Sequence, residues 1–363
     1  MKKFISLLTA VLWIHSLAAA QGQRPGTVST QEVREGGLAV AVSPTVKITP
    51  LGSHPGEFCR NDRALLFEDP TGVRVLWDPG RTIDGGTDAR LGSVHVMIIS
   101  HAHTDHIGDV KPNPSAPGTC GAPGTVTAAP NSNFVTIAAA KNAAVFAAGE
   151  LADFLARKIQ NIRGTATPGC PGDGLASEMT VPLTAPCTAT LRPGGSRTVK
   201  FSGAGVGVKF ATTPAFHSNG INTAFVDAPG EAPGTTAYGG SESGFVIQFT
   251  NGLKVYLTGD TGMFGDMSTI VRGFYRPNLV VINMSDTATM GPDEAAFAVT
   301  QLVKPHTVIP SHANEAATSG GRVIGDRVGR FVAQLHGSSI GVVIPLSGVT
   351  REFDGLGRCT NCR

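Results

Sequence analysis

The sequence predicts an α/β fold with four layers, in which two mixed β-sheets pack face to face and helices cover their outer sides (αββα). Glycine (46 residues) and proline (24) are frequent and aromatic residues make up only 6%, which favours short strands joined by turns over a helical bundle. Strand-like and helix-like segments also come in two similar series, each with several strands before a helix. Two packed sheets with helices outside would bury both series.

The first series begins with short β-type runs separated by turn residues. These runs are 46–51, 64–68 and 73–77. Residues 94–100 are apolar almost throughout, which indicates a strand buried on both faces. Residues 111–131 are rich in proline, glycine, serine and alanine and predict a long loop. The apolar spacing within 133–162 predicts a helix.

The second series follows another predicted loop at 164–196. Its strands are expected at 198–201, 206–212, 222–226, 244–249, 253–257 and 279–283. The remaining elements are a helix at 293–303 opened by Pro292, a strand at 307–310, an amphipathic helix at 323–335 and a closing strand at 340–345. No clear boundary divides the two series, so one domain is expected at 44–353, with a C-terminal tail at 354–363.

The N-terminus has the pattern of a secretory signal peptide at residues 1–20. Lys2 and Lys3 precede a mostly apolar stretch, and Ala18-Ala19-Ala20 supplies small residues for cleavage. The stretch is short for a membrane span, so an uncleaved anchor is the less favoured alternative. We expect a periplasmic or secreted protein without stable membrane insertion, with a loose N-terminal segment at 21–43.

The charge balance limits the partners of the chain. It has 29 basic and 27 acidic residues, and two of the lysines lie within residues 1–20, so the rest is balanced. A neutral chain without dense basic clusters argues against a partner recognised through its phosphates. The expected partner is a small-molecule substrate and not nucleic acid, and the sequence leaves the oligomeric state open.

Six cysteines, an even number in a chain expected to be exported, favour disulfides. Cys170 and Cys187 flank one loop and form the favoured local pair, and Cys59 and Cys120 are paired by elimination. Cys359 and Cys362 form a CxxC at the C-terminus. A local disulfide or a frayed tail there is favoured over a redox or zinc site, which would need a surrounding fold.

The strongest chemical signal is the run His101-Ala102-His103-Thr104-Asp105-His106, which follows the buried strand at 94–100. It places four side chains of the types that bind metal within six residues. Imidazole and carboxylate groups are ligands of zinc and of similar metals. The run therefore predicts a metal site at the end of this strand.

Three further candidates each follow an apolar run, where functional side chains are commonly found. His217 follows the strand at 206–212, Asp260 follows the strand at 253–257, and His312 follows the strand at 307–310. Each alone would be an ordinary turn or capping residue. Together with the run at 101–106 they complete a set of seven ligands.

This order of motifs resembles the metallo-β-lactamase superfamily. More narrowly, it is similar to the predicted metal-dependent hydrolases related to ascorbate-6-phosphate lactonase. The resemblance extends over roughly residues 45–350 and rests on specific motifs. They are 100–109, Gly149-Glu150-Leu151, 215–218, Tyr238-Gly239-Gly240, 256–262, 289–292 and 309–312. Ala313 departs from the tyrosine usual after the last histidine, and the long loops at 111–131 and 164–190 flank the expected pocket.

The resemblance implies the metallo-β-lactamase fold and a site for two divalent metal ions. One ion would bind His101, His103 and His217. The other would bind Asp105, His106 and His312, and Asp260 would bridge the two. Zinc is favoured, with manganese or iron as alternatives. The implied reaction is hydrolysis by a metal-bound hydroxide, since a divalent ion lowers the pKa of its water to about 7, and Asp105 is a candidate to take a proton during turnover.

Other polar residues have less specific interpretations. His95 lies in the buried strand and is expected to be structural, and His54 is a weaker candidate for the pocket wall. Asp109 and Asp286 are candidates to orient the ligand imidazoles, with capping as the alternative.

The function predicted from these features is hydrolysis of a small ester, lactone or amide by an exported enzyme with two metal ions. Phosphodiester cleavage is the first alternative, and a lactamase is another. An iron-loaded oxidoreductase on the same fold and a non-catalytic metal-binding protein come from other classes. The intact ligand set argues against the last.

Overall fold

The computed structural model describes residues 45–172, 177–222, 225 and 236–362. Residues 43–363 form one compact unit. The predicted signal peptide and the segment 21–43 lie outside the described residues, so both stay predictions. Within the described ranges, no helix is long and apolar enough to cross a membrane.

The first sheet has seven strands, which are numbered here along the whole chain. They are β1 (Val46–Pro50), β2 (Leu65–Glu68), β3 (Arg74–Trp77), β4 (Val96–Ile98), β9 (Ala144–Ala147), β11 (Cys187–Thr190) and β23 (Arg351–Phe353). Their order is β11-β9-β4-β3-β2-β1-β23. Strands β3, β4, β9 and β11 are parallel, whereas β23, β1, β2 and β3 pair antiparallel. The sheet is therefore mixed.

The second sheet has eight strands and is also mixed. They are β10 (Met179–Val181), β12 (Ser196–Phe201), β13 (Val208–Pro214), β16 (Ser243–Gln248), β17 (Lys254–Leu257), β18 (Leu279–Asn283), β19 (Thr307–Ser311) and β22 (Gly341–Val342). Their order is β10-β12-β13-β16-β17-β18-β19-β22. Strands β17, β18, β19 and β22 are parallel, and β13 runs in the same direction because two antiparallel pairings separate it from β17.

Four two-stranded ribbons extend from the loops. The pairs are β5 (Val110–Pro112) with β8 (Thr125–Thr127), β6 (Gly118–Thr119) with β7 (Ala122–Pro123), β14 (Gly220–Asn222) with β15 (Thr236–Tyr238), and β20 (Thr318–Ser319) with β21 (Arg322–Val323). The predicted loop at 111–131 therefore contains two small ribbons, close in sequence to the predicted metal-binding run at 101–106.

Helices cover both outer faces of the sheets. They are α1 (Thr104–Ile107), α2 (Asn133–Lys141), α3 (Leu151–Arg163), α4 (Pro292–Phe297) and α5 (Asp326–Leu335). A π-helix spans Met267–Tyr275, and α4 continues as π-helix through Ala298–Val303. Helix α2 begins at Ser132, whose side chain accepts a hydrogen bond from Val135 N, as is typical of an N-cap.

Successive side chains of the central strands point to opposite faces of each sheet. The buried side chains therefore form three layers, one between the sheets and one outside each sheet. Val96 and Ile98 of β4 face the core between the two sheets, whereas Met97 packs with the helices outside the first sheet. In β18, Val281 faces the shared core and Val280 packs with the outer helices of the second sheet. Because successive side chains of a strand point to opposite faces, apolar runs of this kind are buried on both sides. The result is the αββα arrangement that the sequence predicts.

The prediction of a single helix over 133–162 is wrong. It is divided into α2, β9 and α3, with Asn142 in the left-handed region at the end of α2. All four residues of β9 are buried, and this strand pairs with β4 and β11 on its two sides. A short apolar run looks alike in a buried helix and in a central strand, so only the sheet partners distinguish the two.

The loop predicted at 164–196 also contains two edge strands, β10 and β11, one in each sheet. The predicted strand at 222–226 begins earlier, as β14, and much of it lies outside the described residues. The structure has disulfides at the two pairs that the sequence suggests, Cys59–Cys120 and Cys170–Cys187, and at Cys359–Cys362, where the sequence also allows a frayed tail. The first ties the loop between β1 and β2 to the ribbons at 110–127.

Candidate metal centre

The seven predicted ligands meet at one edge of the two sheets. The run at 101–106 follows β4, His217 follows β13, Asp260 follows β17 and His312 follows β19. Strands β13, β17 and β19 run in one direction, so their C-terminal ends meet at the same edge. Gly259 has φ +59°, and a Cβ there would lie 2.6 Å from Cβ of Ser100. Glycine at this position lets the ends of β17 and β4 approach each other.

His101, His103 and His217 form one group of donor atoms. The described residues offer a ligand atom from each of the three, all within 4.8 Å of one another. Nε2 of His217 lies 3.2 Å from Nδ1 of His103, and the rings of His101 and His103 are 4.4 Å apart. We call this group the three-histidine triad.

Asp105, His106 and His312 form a second group with the same spacing limit of 4.8 Å. Oδ2 of Asp105 lies 3.1 Å from Nε2 of His312 and 3.8 Å from Nε2 of His106. The rings of His106 and His312 stack with centroids 5.2 Å apart. We call this group the carboxylate triad.

Asp260 lies between the two triads. Its Oδ2 is 3.7 Å from Nε2 of His217 on one side, and 3.4 Å and 3.2 Å from Nε2 of His106 and His312 on the other. Asp260 also forms a third possible metal-binding group with His101 and His106. Its carboxylate therefore lies within 3.7 Å of donor atoms of both triads.

The donor atoms at this edge fit a bound cation. Nε2 of His101, Nε2 of His106 and Oδ1 of Asp260 are buried and have no hydrogen-bond partner among the described residues. Buried polar atoms without a partner are costly and rare. Several of them beside one another, on imidazole and carboxylate groups, are what a divalent ion such as zinc would satisfy.

The family is shown by comparison with known proteins. A family model described as a Beta-lactamase superfamily domain matches residues 61–312, which is more than half of the chain. This chain belongs to the beta-lactamase superfamily. The predictions of this superfamily, of its fold and of an enzyme of the hydrolase class are thereby confirmed.

Curated relatives within the superfamily carry the name UPF0173 metal-dependent hydrolase. A protein of Cupriavidus necator is 29% identical over 297 residues, covering 80% of this chain and 83% of the relative. A protein of Pelotomaculum thermopropionicum is 33% identical over 243 residues, covering 66% and 77%. Among solved structures, the metallo hydrolase Igni18 of Ignicoccus hospitalis aligns with a TM-score of 0.52 and 21% identity, over 85% of this chain and 99% of that one.

Two residues to which the sequence assigned no role of this kind contact the imidazoles of predicted ligands. Asp78, directly after β3, accepts hydrogen bonds from Nδ1 of His106 (2.7 Å) and from Oγ of Ser100 (2.7 Å). The Ser100 oxygen lies 2.9 Å from Nδ1 of His101. With both Nδ1 atoms as donors, the lone pairs of both Nε2 atoms face the site, as metal-ligating histidines require. Asp78 has a φ of +35°, which is rare for a residue other than glycine and is often found at functional sites. Only the structure shows this feature.

A second network holds the loop of the three-histidine triad. Asn219 is buried, and its Oδ1 accepts from the backbone N of Ala102 at 2.8 Å while its Nδ2 donates to the carbonyl of Gly239 at 2.8 Å. The backbone N of His217 donates to Glu242. The Tyr238-Gly239-Gly240 motif of the superfamily resemblance therefore acts through Asn219 on the position of the 101–103 run.

The ionisable groups of the site shift one another's pKa values in both directions. Burial lowers the pKa of His106, but Asp260, Asp105 and Asp78 outweigh it and raise the pKa to about 10. Burial opposes ionisation of Asp260, yet the imidazoles of His312 and His106 hold its pKa well below the usual range. Burial and the neighbouring imidazole of His106 lower the pKa of His101 well below its ordinary value. The carboxylates therefore favour a positive charge at His106, next to Asp260, whereas the pKa of His101 shifts in the opposite direction.

The other polar residues predicted from the sequence lie elsewhere. His95 is structural, with Nδ1 accepting from the backbone N of Arg74 at 3.0 Å. His54 lies against the ribbon at 118–123, 3.2 Å from the carbonyl of Gly118. Asp109 pairs with Arg81 at 2.6 Å, and Asp286 is mostly exposed. Neither aspartate contacts an imidazole of the site in the hydrogen bonds of the described residues.

Proposed function

We propose that this chain is an exported hydrolase that uses two divalent metal ions to cleave a small ester, lactone or amide. The observation that carries the proposal is the position of Asp260. One oxygen of this carboxylate lies within 3.7 Å of Nε2 of a histidine from each triad. A shared carboxylate offsets the repulsion between two cations. A site for two metal ions would therefore account for the position of Asp260 between the two triads.

Bound divalent ions would supply a nucleophile at neutral pH and Lewis-acid polarisation of the scissile carbonyl. The residues of the chain bind and orient these ions. Asp78 and Ser100 keep His106 and His101 in the tautomers that turn Nε2 towards the site. Asp105 is the candidate proton acceptor during turnover. Zinc is the favoured ion because five of the seven ligands are imidazoles, with manganese or iron as alternatives.

A small substrate and an extracytoplasmic location are the other parts of the proposal. The balanced charge of the chain after residue 20 supports an uncharged small molecule over a nucleic acid. The three disulfides support an oxidising compartment, since such bonds are rare where thiols are kept reduced. They agree with the signal-peptide pattern at residues 1–20.

The experiment that tests this function combines metal analysis with a substrate panel. The protein is purified from the periplasm of an expression host, its metal content is measured by inductively coupled plasma mass spectrometry, and it is assayed on chromogenic ester, lactone, lactam and phosphodiester substrates. His103→Ala is compared with His336→Ala, which removes an exposed histidine away from the site. We expect about two ions per chain and activity on the ester or lactone. Protein without metal, or His103→Ala with unchanged metal and activity, would contradict the proposal.

A further inference from the structure

Arg63 places a buried positive charge inside the carboxylate triad. Its Nη2 lies 2.8 Å from Oδ2 of Asp105, and only 2% of the Arg63 side chain is exposed. The same oxygen of Asp105 lies 3.1 Å from Nε2 of His312. A metal ion held by this triad would therefore share Oδ2 of Asp105 with a guanidinium group.

The guanidinium is held in this position from two sides. Nη1 donates to the carbonyl of Asn61 at 3.1 Å, and Nη2 also lies 3.4 Å from Oδ1 of Asn314, in the loop after β19. The stem of Arg63 packs against Gly80, where a Cβ would lie 3.5 Å from Cγ of Arg63. Nε of Arg63 is buried without a partner in the described part of the chain. Such a side chain is not free to move away when a cation arrives.

The two triads differ in charge because of this contact. The three-histidine triad consists of imidazoles that contact one another and the hydroxyls of Ser100 and Ser218. The carboxylate triad has the charge of Asp105, but Arg63 compensates it at contact distance. Like charges repel strongly where water is excluded. The guanidinium of Arg63 therefore repels a cation bound beside Asp105 more strongly than a cation bound at the three-histidine triad.

We propose that Arg63 makes the two metal positions unequal: it positions Asp105 and weakens cation binding at the carboxylate triad relative to the three-histidine triad. This inference rests on the proposed dinuclear function. Because the Arg63 side chain is almost fully buried and contacts Asp105, it acts through Asp105 and not by contact with the substrate. The chain then fills the three-histidine triad first, and the second ion exchanges more readily.

The test measures metal affinity directly and does not depend on turnover. Metal-free wild-type protein is titrated with Co²⁺, followed by visible absorption, and with Zn²⁺ against a chromophoric chelator. Arg63→Met removes the charge and keeps the apolar stem, Arg63→Gln is a second neutral variant that keeps a donor, and Arg63→Lys keeps the charge. Arg90→Met is the control, since Arg90 binds the carbonyls of Gly52 and Thr82 and no predicted ligand. Circular dichroism confirms that each variant is folded.

We expect two binding steps in the wild type. In the folded neutral variants the second step should become at least tenfold tighter with the first unchanged, while the Lys and Arg90 variants keep the wild-type separation. Two equal steps in the wild type, or a second step that is unchanged or weaker in the neutral variants, would overturn the inference and leave the proposed function standing. A wild-type protein that binds neither ion would overturn both.

Discussion

Replacing Asp78 with asparagine changes one atom of the side chain that orients two predicted ligands. The carboxylate accepts three hydrogen bonds, from the backbone N of Ser100 (2.9 Å), Oγ of Ser100 (2.7 Å) and Nδ1 of His106 (2.7 Å). An asparagine offers an acceptor on one side and an NH₂ group on the other. Turned one way, its NH₂ meets the N–H of Ser100. Turned the other way, it forces His106 into the tautomer with a proton on Nε2.

Both orientations cost binding energy or stability. Loss of an outer partner of a metal-ligating histidine lowers metal affinity by roughly 10- to 100-fold, or about 1.4 to 2.8 kcal/mol. One buried hydrogen bond that is left unmade costs a further ~1–3 kcal/mol of folding stability. We therefore expect Asp78→Asn to lose at least tenfold in zinc affinity at the step that involves His106, and to unfold at a lower temperature.

Zinc competition with a chromophoric chelator measures the affinity, and thermal unfolding of the metal-free protein measures the stability. Asp69→Asn is the matched control. Asp69 is equally buried and accepts hydrogen bonds from Thr71 and Thr250, away from the predicted ligands. This control should be destabilised with unchanged zinc affinity. If Asp78→Asn kept its affinity within threefold, or if Asp69→Asn lost as much, the argument that Asp78 sets the His106 tautomer would be wrong.

Two further predictions concern the fold around the site. Replacing Cys59 and Cys120 with serine opens a link across 61 residues and should lower the free energy of unfolding by about 4 kcal/mol, against about 2 kcal/mol for the Cys359–Cys362 disulfide, whose sequence separation is 3. Urea unfolding measures both, and a larger loss for the C-terminal pair would contradict the loop-closure argument. Burial, with the charge of Arg74 adding to it, lowers the pKa of His95, so below about pH 6.5 the unfolded chain takes up a proton before the folded one and stability falls with acidification. His95→Asn keeps an acceptor for the backbone N of Arg74 and should lose less stability than wild type between pH 7.5 and pH 5; equal losses in urea midpoints would refute this reasoning.

Much of the fold could be predicted because burial leaves a pattern in the sequence. The run at 279–283 is β18 with the predicted bounds, since a strand buried on both faces is apolar at nearly every position, here at all but Asn283. Apolar composition also led to the wrong prediction of one helix over 133–162, where Ala144–Ala147 is a central strand between two helices. Strands β10 and β11 were missed within the loop at 164–196 because they are short and lie at sheet edges, where few partners constrain their residues.

The candidate site divides in the same way. Residues that can provide ligand atoms have a recognisable type and position, so the sequence predicts all seven candidates that the structure brings together. The residues that orient them have no such signal. The sequence Asp78-Pro79-Gly80 predicts an ordinary turn, and Arg63 is one charged residue before a predicted strand. Their roles exist only because β3 and the loop between β1 and β2 end beside the run at 101–106.

The sequence by itself therefore determined the kind of fold and the chemical types gathered at its edge, because apolar periodicity and ligand spacing are local properties of the chain. Only the tertiary structure decided which groups surround the predicted ligands. The position of Asp260 between the two triads, the contact of Asp78 with His106 and the charge of Arg63 beside Asp105 all depend on distances of 2.7 to 3.7 Å between segments far apart in the chain. Electrostatic and hydrogen-bond energies vary steeply over such distances, and no local pattern in a sequence specifies them.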